Sequence, residues 1–125
     1  MSVVSGDTVT IIDGSSAHPL RLAHVRAPDI GSKNINEQTI ASAAHYALTE
    51  KLGLTDGQQP TVAVQGMRLV DGVHEAELFV VSSSTHEEIN VNNWMLEHRY
   101  GYDPATQPPP RDWVDYHARL SSVTL

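Results

Sequence analysis

Cysteine is absent from the 125 residues. That removes disulfides and thiolate metal sites, and it fits the cytosol. No apolar run is long enough to form a transmembrane helix, so no membrane partner is expected. The opening MSVVSGDTV has no basic region leading into an apolar core, so no signal peptide is expected. A cytoplasmic chain, or one built into an intracellularly assembled particle, fits both absences. Basic residues are scarce: 8 Lys plus Arg stand against 15 Asp plus Glu, a net charge of −7. Nucleic-acid backbones are held by neutralising phosphates, so this balance argues against nucleic acid as a partner and reads as solubility. There is no Gly-rich phosphate loop, no G-x-S-x-G nucleophile turn and no internal repeat. A basic groove with interleaved aromatics, which a single-strand binder needs, is also missing.

What remains is 40% hydrophobic and 18% charged, which suits an ordinary globular domain of this length. Val9 to Ile12 is β-branched and runs into Asp13-Gly14, a tight-turn signal. Leu20, Leu22 and Val25 follow, so a hairpin is expected from Asp7 to Ile12 and from His18 to Arg26, ended by Pro28. Ile40, Ala41, Ala44, Leu48 and Leu52 then repeat at helical spacing. Asn34 with Glu37 resembles a capping box, and Gly53 supplies the stop. Gly57 to Pro60 reads as loop and Thr61 to Gln65 as a strand. After the Asp71-Gly72 turn, Glu75 to Val81 reads as the partner strand, and Ser82 to Glu88 as polar loop.

Asn90 can cap a short helix through Arg99, with Val91, Trp94, Met95 and His98 on one face. Residues 103–110 form a proline-rich linker. Residues 111–125 form a last helix, with Trp113, His117 and Leu120 facing the domain of residues 1–102. Trp94 reads as core. Trp113 reads either as core or as an exposed anchor for a protein partner. Short strands with a helix inserted after the third imply an α+β chain, mainly a small five-stranded barrel with two C-terminal helices. Only Met1 to Val4 are left for its first strand, so that strand is short. A neighbouring chain could complete it.

Four stretches, in order, are similar to the staphylococcal-nuclease-like (thermonuclease) family over residues 3 to 102. SGDTV matches D-G-D-T-V, and LRLAHVRAPD matches R-L-x-x-V/I-D-x-P-E. VDGVHEAELFVV matches the hairpin that normally contains D-x-Y-G-R. VNNWMLEHRYGY matches V-N-x-x-L/M-V-x-x-G-x-A. The resemblance implies an OB-type barrel, a frame that does not by itself settle function. In active members of the family two aspartates hold calcium, a glutamate assists the attacking water, and two arginines bind phosphate. Carried over, Asp7 matches the first metal aspartate, Arg21 the first arginine, and Asp29 replaces the glutamate. Arg26 stands where the second metal aspartate belongs. Glu75 stands where the second arginine belongs, or His74 does if the hairpin slips by one.

Two charge reversals weigh against catalysis. Calcium takes six to eight oxygen ligands, and a guanidinium offers none. A unit charge about 4 Å from another interacts by about 4 kcal/mol at an effective dielectric near 20. Phosphoryl transfer depends on arginine clamps, and Glu75 repels phosphate. Arg26 is expected to bridge Asp7 and Asp29 as a self-neutralising ion-pair cluster. An exchange of roles between Arg26 and Glu75, with Arg68 reaching the cleft, is the competing arrangement. His74-Glu75 and His86-Glu87-Glu88 do not continue into H-E-x-x-H and read as loop polarity. His45 and His98 read as partly buried helix residues. The expectation is a catalytically inactive nuclease-fold module without a cofactor. It would bind a protein partner or its own copies in a larger assembly, such as a phage or mobile-element particle. The alternative is a calcium-dependent phosphodiesterase with a rearranged site.

Overall fold

The computed structural model describes residues 1–53, 62–81 and 87–123. Their order is β1 (Ser2–Ser5), β2 (Thr8–Asp13), β3 (Ser16–Leu22), α1 (Ile35–Lys51), β4 (Val62–Val70), β5 (Val73–Val81), β6 (Glu88–Asn90), α2 (Val91–Glu97) and α3 (Trp113–Val123). The chain is α+β, with one mixed sheet of six strands in the order β1-β2-β3-β5-β4, and β6 on β5. Where five strands were expected, the described residues form six, and Glu88, expected in a loop, begins β6. The expected loop at Gly57 to Pro60, the residue Thr61 and the loop residues Ser82 to His86 lie outside the described residues. Among the described residues no ladder joins β4 to β1, so hydrogen bonds leave the sheet open. No described helix is long and apolar enough to cross a membrane.

Local chemistry explains most boundaries. Asp71 (φ 51°) and Gly72 (φ 80°) form a two-residue turn between Val70 and Val73. Two consecutive positive φ values match the twist of a hairpin, and the Asp-Gly pair tolerates them. A bulge between Gln65 and Arg68 lets β4 continue well beyond the short strand expected. The first hairpin departs from expectation. β3 stops at Leu22 instead of running to Arg26. His24 turns at φ 64°, and Val25 N–H closes back on the Leu22 carbonyl at 3.4 Å. The spacing from Leu22 to Val25 breaks the two-residue period of a strand. Arg26 then pairs with Tyr102 through N–H···O bonds of 2.9 and 3.0 Å.

Helix α1 is capped by Asn34, whose side chain accepts from the N–H groups of Asn36 and Glu37. The reciprocal half of the capping box is not made. Glu37 instead accepts from Asp29 N–H at 2.8 Å and Ser32 Oγ at 3.0 Å, which ties the preceding loop to the helix. Ile40, Ala41, Ala44, Leu48 and Leu52 are all buried, as their spacing predicts. Leu48 and Leu52 join Val9, Leu20, Leu22, Leu78, Val91 and Met95 in one core.

Helix α3 packs against α1. Trp113 is 5% exposed, which makes it core, and it lies edge-on to Tyr116 and near Tyr102. Tyr116 donates to the Gly101 carbonyl at 3.2 Å and lies under the Arg99 guanidinium. Burial pushes the Tyr116 phenol up from 10.0, with Arg99 pulling it the other way. A raised value in the folded state means that this contact is fully present below the ordinary phenol value and is lost as pH climbs through the raised one. A difference titration of tyrosinate absorbance, the unmodified protein minus Tyr116→Phe, is expected to isolate one phenol with a midpoint above 10. A midpoint at or below 10 would contradict this burial.

Candidate functional site

The site is assembled by the sheet and by one close approach. Gly6 lies between β1 and β2 against α1. A Cβ there would come within 2.7 Å of Ala44 Cβ and 2.9 Å of Ala27 Cβ. Only glycine lets the Ser5–Thr8 turn sit this close. The turn presents Asp7. Asp7 Oδ1 accepts from Ser5 Oγ and Thr8 Oγ1, each at 2.8 Å, and Oδ2 accepts from Ala27 N–H at 2.9 Å. Three donors therefore occupy both oxygens. They pin the segment after β3 to the β1–β2 turn.

Strands β3 and β5 run parallel with Arg21 opposite Glu75. Residues opposite each other in a ladder project to the same face. Glu75 is 3% exposed, and its Oε2 takes both neighbouring arginines. Arg21 Nε donates at 2.6 Å and its Nη2 also pairs with the carboxylate, while Arg26 Nη2 lies at 3.4 Å. Arg26 Nη1 also donates to the Val25 carbonyl at 3.1 Å. The centre of charge is thus a buried carboxylate gripped by two guanidinium groups.

This differs from the expected cluster. Arg26 does not bridge Asp7 and Asp29, and neither carboxylate forms an ion pair among the described residues. Asp7 has its lone pairs engaged by Ser5, Thr8 and Ala27, so it has little left to offer a guanidinium. Asp29 is exposed, and its carboxylate accepts from Gly31 N–H at 2.9 Å. It stands apart from the arginine pair. The two charge reversals meet each other: Arg26 and Glu75 share one contact at 3.4 Å. His74-Glu75 is not loop polarity either, since both lie in β5. Arg68 is the cross-strand partner of Glu75 on β4 and is exposed, with no ion pair among the described residues.

As placed, these side chains leave few carboxylate oxygens free for calcium. A calcium ion needs several free carboxylate or carbonyl oxygens. Here one carboxylate accepts from three neutral donors, one is held by arginines, and one turns to its own loop. No group of three His, Cys, Asp or Glu that could hold a metal forms among the described residues.

Sequence reasoning missed Asn92. It is 3% exposed at the start of α2. Its Oδ1 accepts from Leu78 N–H at 3.1 Å, and its Nδ2 donates to the Ala23 and Ala76 carbonyls at 2.9 and 3.1 Å. One amide so joins α2, β5 and the turn that leads to Arg26. The available signal was an Asn inside the apolar arc that Val91 and Met95 define. His45 and His98 are partly buried, as expected. His45 Nε2 lies 3.1 Å from the Val3 carbonyl and His98 Nδ1 lies 2.9 Å from that of Trp94.

A scan of the chain against protein-family models finds no match, and a search of curated proteins finds none either.

Proposed function

We propose that the chain is a catalytically inactive nuclease-fold domain. It is built as an OB-type barrel of the staphylococcal-nuclease-like kind and works as a binding or structural module through protein contacts. The parallel β3–β5 pairing and the helix inserted after β3 support the fold reading. One observation carries the functional reading: Glu75 occupies Arg21, the arginine that matches a phosphate ligand, together with Arg26, while Asp7 spends its oxygens on backbone and hydroxyl donors. Phosphoryl transfer needs free positive groups around the phosphate. Here a carboxylate from the chain itself takes that place.

Exposed apolar side chains support protein contacts. Ile12, Met67 and Leu69 are each more than half exposed. They lie near the tips of the two hairpins, at the same end of the sheet because β3 and β5 are parallel. β4 is also an edge strand, and exposed edges invite strand addition.

Incubation with single-stranded DNA and calcium is the direct test. The unmodified protein is expected to leave the DNA intact, and calorimetry is expected to detect no calcium binding. Calcium-dependent cleavage that disappears in Arg21→Ala, or calcium binding lost in Asp7→Ala, would establish a working phosphodiesterase instead.

A further inference from the structure

We propose that the open end of the sheet carries a copper(I) site formed by His18, Met67 and His74. All three side chains line one cavity of about 200 Å3, completed by Ile11, Pro19 and Leu20. The backbone explains how all three reach one cavity. With Arg21 opposite Glu75 in the parallel β3–β5 pair, one step back sets His74 level with Leu20. His18 lies two residues from Leu20 on β3, so both imidazoles project from the same face. Met67 comes from β4 at its bulge, next to β5.

The chemistry of this set is selective. Two imidazoles and a thioether are neutral, soft or borderline donors. Thioethers select Cu(I), and imidazole also suits copper. Calcium and magnesium need oxygen, and no carboxylate lines the cavity. Zinc favours thiolate, imidazole and carboxylate in a tetrahedron, so a thioether adds little to it. The remaining walls are apolar, which suits a monovalent ion with three neutral ligands better than a divalent one. Neither histidine makes a hydrogen bond to protein among the described residues, so both rings are free to turn a nitrogen inward. The net charge of −7 favours any cation. The site is independent of the arginine–glutamate cluster, because His74 and Glu75 point to opposite faces of β5.

The test uses the full chain under anaerobic, reducing conditions. Cu(I) is titrated against the chromophoric chelator bicinchoninate. One equivalent is expected to be withheld from the chelator. Met67→Leu, His18→Ala and His74→Ala are each expected to weaken retention by at least about tenfold, the scale on which metal sites respond to loss of their supporting groups. All three residues are exposed, so the core is spared. His24→Asn, an exposed histidine outside the cavity, is expected to leave retention unchanged. In NMR spectra the Met67 ε-methyl signal should move with one equivalent of Cu(I), while those of Met1 and Met95 stay in place. No competition with the chelator would overturn the proposal. So would unchanged retention in Met67→Leu, or a Zn(II) affinity that matches Cu(I) with the Met67 methyl unmoved.

Discussion

Asn92→Ala is expected to destabilise the protein by roughly 3–4 kcal/mol, a loss read from urea denaturation as a lower midpoint at unchanged slope. The reason is the position of the amide. It is 3% exposed and serves the Leu78 N–H and the Ala23 and Ala76 carbonyls at once. Truncation leaves buried backbone groups unpaired, and each such group costs about 1–3 kcal/mol. The Ala76 carbonyl keeps a second partner, the Ala23 N–H at 2.9 Å, which limits the total. Asn92→Asp separates this account from simple loss of volume. The carboxylate could still accept from Leu78, yet it would set an acceptor against two carbonyls and bury a charge. At neutral pH it is expected to be no more stable than the alanine variant. Full stability in Asn92→Asp would show that the donor half of the amide contributes nothing.

The second large effect belongs to the arginine–glutamate cluster. Arg21→Ala is expected to cost about 3 kcal/mol, in the lower part of the range for breaking a buried pair, because Arg26 remains as a weaker partner. The Glu75 side chain is 5% exposed, and its nearest remaining cation, Arg26, lies at 3.4 Å. Glu75→Ala is expected to cost less, because the arginines left behind are 22% and 30% exposed and can turn to water. The double variant Arg21→Leu with Glu75→Leu is expected to recover most of the loss, since an apolar pair removes both desolvation costs. A double-mutant cycle measures the coupling. Additive single effects would mean that the two charges do not depend on each other.

These two centres also show where sequence reading succeeds and where it stops. The apolar spacing of α1 named its buried face correctly, because a helix repeats one face every three to four residues whatever it packs against. Asp71-Gly72 announced its turn for an equally local reason, two positive φ values. The end of β3 departs from expectation because the turn at His24 and the shift from Leu22 to Val25, rather than Pro28, end the strand. The capping box was half right: Asn34 caps its own helix, but Glu37 is drawn off by the Asp29–Ser32 loop.

By itself, then, the sequence determined the α+β order, the buried face of α1 and the tight β4–β5 turn. Periodicity, turn chemistry and composition are properties of neighbouring residues. Who pairs with whom was decided only by tertiary structure. Arg21 and Glu75 are 54 residues apart in the chain, and they meet because β3 and β5 lie parallel in that register. Arg26 turns to Glu75 instead of Asp7 because the chain bends at His24 and bridges to Tyr102, while Ser5, Thr8 and Ala27 have already filled the Asp7 oxygens. An ion pair between two distant strands is a matter of distance through space, and no spacing along the chain encodes it.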